Sequence, residues 1–580
     1  MRRFRLVLLA LLVLALFGAG RGLRPRAPQT ASRPGLSVWV VGDTREVRHD
    51  TLPAGHGPLW DGRTITLSAA RNEVVAWQVA IRPGSPVAGG RVTIGEFTGG
   101  AGKLPADACQ AFRQHFLTVK VPSQLAADKP ARGVLGAGDY PNQLLPLVPA
   151  DPQRGVFDAA AGQTTPLWFD LTVPEDAQPG KYTSTLTLVL GARQRVVLPV
   201  ALTVEPFSLP RATHLRNWFY YGPEQVAGLY GAEQGQVVEG QMRRLAHDHR
   251  ITLTSDVVVP LDRARRLSWW AEAGPWLAGQ AYTSGPCRGA GASLIPIGRP
   301  AAEDPLAPDE ARVKAEVRAS VEFLDSVGLL SRAFLFCWDE PGTPAQYAAI
   351  RRIGTWTHEA SGGRLPVMVT APVTPTRPEL GSLGSAVDIY CSDRISSAEA
   401  RYLREQGRQH WVYNGGLAGM PLLDCPLAGV AAWGPAAWRF DLGGWFMWDA
   451  VHWRMQHFGV SKITDLYLDP LTFDETRRQR ADGSPYPARD AMRLNGDGVF
   501  FYPGEPAGHA GVVTCLRTKA FRRGAQDHEY LWLLAQAGHR RAADAFARRL
   551  ATNRFEWEGD PDVWISVRRE MAALLAGGKS

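Results

Sequence analysis

The chain has 580 residues, with 64 Lys+Arg against 56 Asp+Glu, a formal net charge of +8 and a pI near 9.2. Six of those charges (Arg2, Arg3, Arg5, Arg21, Arg24 and Arg26) fall in the first 30 residues with no acidic residue among them, which leaves +2 for residues 31–580. A body that close to neutral lacks the electrostatic footprint of a nucleic-acid binder. Its 45% hydrophobic and 9% aromatic content excludes disorder.

Leu6 to Phe17 is an unbroken apolar run of twelve residues, short of the ~20 that a spanning helix needs. Three Arg precede it and Gly18-Ala19-Gly20 follow, so residues 1–30 read as a secretory signal peptide. The remainder is expected to be secreted or periplasmic, touching a membrane only if that segment stays uncleaved.

Residues 36–207 read as an antiparallel β-sandwich. Thr64–Leu67 and Val74–Ile81 are strand candidates. Tyr182, Leu186, Leu188 and Leu190 alternate with threonines, and Gly191–Gln194 turns into a partner strand over Val196–Val204. The two prolines in Glu205–Pro210 mark a boundary. From residue 212 to 577 strands alternate with helices. Eight strand candidates (Leu215–Phe219, Ile251–Val257, Ser293–Ile297, Ala333–Cys337, Leu365–Thr370, Val387–Cys391, Trp411–Asn414 and Gly443–Trp448) predict a (β/α)8 TIM-type barrel. Pro308–Val327 is a helix with valines at four-residue steps, closed by Gly328. The tail, Gln526–Ala551 and Asp562–Ala576, is helical and rich in Arg, which reads as a solvated face.

The six cysteines stand singly, without CxxC or metal-ligand spacing. His247-Asp248-His249 falls at a helix end, where such residues meet the last carbonyls. No metal site is expected. No GxSxG, HExxH or phosphate-binding glycine loop is found.

The most informative segment is Phe334–Trp338, which runs into Asp339-Glu340-Pro341-Gly342-Thr343-Pro344. Pro341 ends the strand, and Thr343 with Pro344 starts a helix. If Leu335, Cys337 and Asp339 face the barrel axis, Asp339 closes its top layer and Glu340 stands just above, at the face where barrel enzymes keep their chemistry. A scaffold reading stays open beside this one, in which both acids cap the turn and pair with Arg351 or Arg352. Adjacency also limits mechanism. Ordinary glycosidases set two carboxyls on opposite sides of the scissile bond, ~5 Å or more apart. Neighbours on one loop suit substrate assistance instead, in which a sugar's 2-acetamido oxygen attacks its own anomeric carbon.

Several segments together carry a family likeness. They are the Asp339-Glu340-Pro341 strand end, Ala69-Ala70-Arg71-Asn72-Glu73, Val173–Tyr182, Gly496-Asp497-Gly498-Val499-Phe500-Phe501-Tyr502-Pro503-Gly504, and Asp527-His528-Glu529-Tyr530-Leu531. In this order the chain resembles glycoside hydrolase family 123 and its relatives in the domain-of-unknown-function 4091 group. The resemblance implies an N-terminal β-sandwich, a catalytic barrel and β-N-acetylgalactosaminidase activity on a glycan with a terminal 2-acetamido sugar. It implies Glu340 as general acid/base, Asp339 as the residue that orients the acetamido group, and no cofactor. Among the 19 Trp, six lie between residues 411 and 453, and indole faces stack on sugars. Trp445, Trp448, Tyr413 and Asn414 are therefore candidate substrate contacts, with Tyr502 and Asp497 beside them. A glycosidase of the same fold acting on another glycan, or a non-catalytic carbohydrate-binding envelope protein, are the alternatives.

Overall fold

The computed structural model describes residues 35–577 except 101, 127–128, 131–132, 192–193, 375–376, 416–418, 454–464, 478–483 and 485–490. The expected export signal at 1–30 lies outside the described residues.

Two sheets face each other in the N-terminal part. One runs Leu36–Gly42, Val74–Pro83, Thr165–Thr172, Cys109–Val119 and Gly138–Pro146, then takes two more strands from far along the chain, Val512–Cys515 and Phe501–Pro503. The other runs Phe157–Ala159, Val87–Ile94, Gly180–Leu190, Gln194–Ser208 and Ile65–Arg71. Alternate residues point inward, so Leu186, Leu188, Leu198, Val200 and Leu202 pack against Trp77, Val79 and Phe169. The expected hairpin pairs in register from Gly180↔Val204 to Leu190↔Gln194. The sandwich departs from a purely antiparallel one at its last pair, where Ile65–Arg71 lies parallel to Gln194–Ser208. The 36–207 segment thus closes its second sheet by bringing an early strand beside its final one.

Beyond it lies a parallel sheet of seven strands in the order Asn217–Phe219, Gly444–Met447, Gln409–Tyr413, Ile389–Ser392, Val367–Val369, Ala333–Trp338 and Ile295–Gly298. A regular eight-stranded barrel is not formed among the described residues. The segment expected as the second strand, Ile251–Val257, bridges the two edges only at Phe219↔Leu253 and Val257↔Ile297. Two backbone bonds reach each edge, between Phe219 and Thr252 and Thr254 on one side and between Val257 and Pro296 and Gly298 on the other, and side chains supplement them. Asn217 Oδ1 accepts the Thr252 N–H at 2.9 Å, its amide donates to the Leu215 and Arg250 carbonyls, and Thr252 Oγ1 meets Ser293 Oγ at 2.7 Å. Pro296 in the neighbouring strand has no N–H to offer. Helices follow most strands, including Glu310–Ser326 with Asp309 as its N-cap. Among its described residues, the crossover from Val367–Val369 to Ile389–Ser392 carries two short 3-10 turns and no α-helix.

The ring's interior is aromatic. Trp218 stacks on Phe446 at 4.3 Å and meets Phe334 and Phe336 edge-on at 5.6 and 5.3 Å, while Phe334 meets Trp411 at 5.1 Å. Much of the chain's tryptophan therefore fills cores rather than a ligand site.

In the Arg-rich tail, Arg540, Arg541, Arg548 and Arg549 are exposed as expected, whereas Arg568 is buried, as are the cations just before the tail. The helix Leu516–Gln536 is buried along most of its length, and Arg517, Lys519, Arg522 and Arg523 are each no more than 4% exposed. Lys519 and Arg522 pair with Asp170 of the sandwich, and Arg523 with Asp43 and Asp527. Arg568, from the last helix Pro561–Leu575, bonds both Glu73 and Asp527. These cations belong to a buried network that joins the C-terminal helices to the sandwich. All six cysteines are buried, and none is joined to another in a disulfide. No helix of the described residues is long and apolar enough to cross a membrane.

Candidate active site

The strand Ala333–Trp338 alternates between the ring's interior and its outer face as far as Cys337. Phe334 and Phe336 lie in the ring's interior, whereas Leu335 and Cys337 pack outward with Val317, Ile350 and Ile353. This reverses the expected facing of Leu335 and Cys337. The register with the next strand then shifts between Phe336↔Met368 and Trp338↔Val369. One inserted residue inverts the alternation, so Asp339 turns inward to meet Thr370.

Thr370, only 3% exposed, is the clamp. Its hydroxyl donates to Asp339 Oδ1 at 2.7 Å and accepts the Glu340 N–H at 2.6 Å. Glu340 has a φ of 42°, in the left-handed region that non-glycine residues avoid. Pro341 restricts it further. Strain of this kind persists only where surrounding contacts hold it, and it gathers at functional sites. The helix start at Thr343 is as expected, a capping box with Gln346 and Pro344 in the first turn.

On the other side, Tyr413 Oη donates to Glu340 Oε1 at 2.8 Å. Burial, reinforced by the Glu340 charge, drives the Tyr413 phenol upward, so it remains a hydrogen donor. Each carboxylate thus has its own hydroxyl partner while staying exposed. Among the described residues neither is held in an ion pair. Arg351 and Arg352 bond the Ser382 and Leu306 carbonyls instead, at 3.2 and 2.6 Å. That geometry leaves the capping reading without its salt bridges.

The other expected contacts separate into two groups. Asn414, at a φ of 51°, and Trp448 do stand at this end of the sheet, and Asn414 Oδ1 accepts the Trp448 backbone N–H at 3.2 Å. Asp497 is buried behind Trp448, within hydrogen-bonding reach of its indole, and burial raises the carboxyl to about 6 against the opposing pull of His452 and Trp448. It can act on the site only through Trp448. Gly498 explains the glycines around it, since at a φ of 70° a Cβ there would lie 2.8 Å from His452 Cβ and 3.1 Å from the Trp448 ring. Trp445 and Tyr502 are not brought to the site. Trp445 faces outward and stacks on Trp433 at 4.7 Å. Tyr502 lies in the sandwich's sheet, 1% exposed, and accepts a bond from Arg517 at 2.9 Å.

Several residues at the same face went unrecognised. Thr370 is one. Arg299 follows Ile295–Gly298 and lays its guanidinium 4.2 Å over the Trp338 ring. Asp256 ends the irregular edge segment. Partial burial and the Asp339 charge raise its carboxyl to about 6, and it in turn contributes to holding the Tyr220 phenol at about 12, an effect led by burial. The available signal was positional: a polar residue at or just beyond the end of each parallel strand. Because the folded state raises the Asp256 pKa, its ionisation works against folding above pH ~6 and not below the unfolded value of ~3.9. Asp256→Asn is expected to raise Tm at pH 8 and leave it unchanged at pH 3, a difference readable by calorimetry.

Neither a protein-family model nor a curated protein matches the sequence. Among solved structures, the chain is similar to a family 123 glycoside hydrolase from Clostridium perfringens, studied for glycolipid glycan hydrolysis. The TM-score is 0.65 at 11% identity, covering 93% of this chain and 98% of the other. A family 5 xyloglucanase from Bacteroides ovatus matches 84% of this chain and 100% of its own at 8% identity, but with a TM-score of 0.26. A family 39 glycoside hydrolase from Bacteroides cellulosilyticus matches 59% and 70% at 12% identity and 0.28. The last two scores are too low to support an argument. The first establishes the fold, and it agrees with the resemblance carried by the sequence motifs.

Proposed function

We propose that the protein is a secreted or periplasmic glycoside hydrolase that removes terminal β-linked 2-acetamido sugars with retention, by substrate assistance. The observation that carries this reading is the adjacent pair at the strand end, with Asp339 tied to Thr370 and Glu340 tied to Tyr413. Their separate partners support separate tasks on one side of a sugar. Glu340 donates the leaving-group proton through the oxygen that Tyr413 leaves free. Asp339, turned inward, accepts the acetamido N–H and steadies the oxazolinium as the carbonyl oxygen attacks C1. Glu340 then takes a proton from the water that opens that intermediate. Trp448 provides an apolar wall for the sugar ring. The fold shared with a family 123 enzyme supports the same reading.

Aryl β-N-acetylgalactosaminide and β-N-acetylglucosaminide turnover is the direct test, with a thiazoline mimic of the oxazoline as inhibitor. Turnover of neither substrate, together with no thiazoline binding, rejects the proposal. Asp339→Asn should lower kcat/KM on 2-acetamido substrates by ~10²-fold or more while thermal stability holds, because the lost group acts on developing charge. Mass spectrometry of the exported chain tests the address: an N-terminus near residue 30 is expected.

A further inference from the structure

Beside the carboxylate pair lies a surface that the chemistry does not use. The edge segment ending at Asp256 continues into an exposed loop and then the helix Arg263–Leu277, which starts at the same face of the parallel sheet. Three large aliphatic residues in this stretch face solvent: Val258 is 63% exposed, Leu261 51% and Leu267 55%. Isolated exposed aliphatics need no explanation, but three within ten residues form a patch.

Charge sits with them. Arg263, Arg265 and Arg266 fill the first turn of the helix, and that turn contains no acidic residue. Cations are disfavoured at a helix N-terminus, where the macrodipole is positive. None of the three forms an ion pair among the described residues. Asp262 is occupied as the N-cap of the Arg265 N–H, and Arg266 bonds the Pro260 and Leu261 carbonyls. Behind this turn Trp269 and Trp270 are half-buried against Phe323, at 5.9 and 5.3 Å. Exposed aliphatics, the Arg263 and Arg265 guanidiniums and half-buried indoles along one short stretch are the composition that settles in the headgroup layer of a bilayer. Since residues 31–580 together carry only +2, the cationic character is local.

We propose that Val258–Trp270 is a docking surface for an anionic lipid bilayer, holding the mouth beside Asp339 and Glu340 against the membrane plane. A soluble polyanion would engage the arginines but give no use to Val258, Leu261 and Leu267, so the aliphatics favour lipid. The inference is independent of the reaction at the carboxylates.

The buried state of all six native cysteines makes a site-specific test practical. Leu267→Cys in the full chain takes an environment-sensitive thiol dye, and Val237→Cys, 52% exposed on another helix, serves as the control position. With vesicles of phosphatidylcholine containing about 30% phosphatidylglycerol, the dye at position 267 should shift to the blue. It should not do so with phosphatidylcholine alone, and the control dye should not respond. Added Arg263→Glu/Arg265→Glu should weaken the response at least ~10-fold, as should ~0.5 M salt. The proposal is overturned by an unshifted dye at 267, by equal shifts at both positions, or by equal shifts with neutral and anionic vesicles. A response to dextran sulfate without one to vesicles also overturns it, in favour of an anionic polymer. If Leu267→Cys melts earlier than the wild type, Val258→Cys takes its place.

Discussion

Glu340→Gln should leave a folded protein whose kcat/KM on an alkyl 2-acetamido glycoside is reduced by ~10²–10⁴, the usual contribution of a positioned general acid. Gln keeps the size of the side chain and can still accept from Tyr413, so the 2.8 Å contact and the strained backbone at φ 42° persist. What it loses is a transferable proton. That loss weighs most where the leaving group needs protonation. A dinitrophenyl aglycone, which departs unassisted, should therefore suffer ~10-fold or less in the bond-breaking step, while methyl or glycosyl aglycones suffer the full penalty. A plot of log kcat/KM against leaving-group pKa should steepen in the variant. Equal losses across all leaving groups would assign Glu340 to binding instead. Tyr413→Phe provides the companion measurement: removing one hydroxyl partner should cost less than removing the acid, with a changed pH profile.

How far this site was legible in the sequence depends on what kind of signal each residue carries. Asp339 and Glu340 could be read because a buried strand running straight into two acids and a proline is a local pattern. The direction of their side chains could not, since it depends on a register shift against Val367–Val369, a strand about thirty residues away. Asp256 and Thr370 belong to the same mouth, yet each is an ordinary polar residue in its own segment. Only ring closure brings them near the pair. Trp445 shows the converse: its neighbours in sequence suggested a sugar platform, but strand alternation turns it into the layer beneath, onto Trp433. The sandwich and the alternating strands and helices were readable from periodicity, whereas the thinned ladder at Ile251–Val257, supplemented by Asn217, Thr252 and Ser293 from separate segments, was not. The family motifs around Glu73 and Asp527 proved to be two sides of one buried contact. Arg568 bonds Glu73 and Asp527, and Tyr530 Oη donates to Glu73 at 2.7 Å. These two motifs of the family likeness thus report architecture, and the chemistry proposed above rests on the Asp339-Glu340 strand end alone.

That architecture leads to the largest expected stability effect, at Asp170. It sits on the interior strand Thr165–Thr172, with Oδ2 accepting from Lys519 at 2.7 Å and from Arg522 at 2.9 Å, while Oδ1 accepts from Trp168 at 2.8 Å and from Arg522. All three charged groups are almost fully withdrawn from water. Burial alone would raise the Asp170 carboxyl, but Arg522 and Lys519 outweigh it and hold the group well below the usual carboxylate range. Asp170→Ala leaves two buried cations uncompensated, a loss of roughly 3–5 kcal/mol. It should lower the midpoint of thermal unfolding and loosen the C-terminal helix from the sandwich. Hydrogen exchange should then rise in Leu516–Gln536 before it rises in the sandwich core. The pH dependence follows from the depressed pKa: the stabilisation is fully present above the unfolded carboxyl value of ~3.9 and is lost as pH falls below it. Wild type and Asp170→Ala should accordingly converge in stability as the pH drops below about 4. Replacing the cluster together, as Asp170→Leu/Lys519→Met/Arg522→Leu, should recover most of the lost stability, because a buried ion cluster and an apolar one of equal volume are often interchangeable in energy. If the single and the triple variant are equally destabilised, the packing of these three side chains rather than their charge holds the two parts of the molecule together.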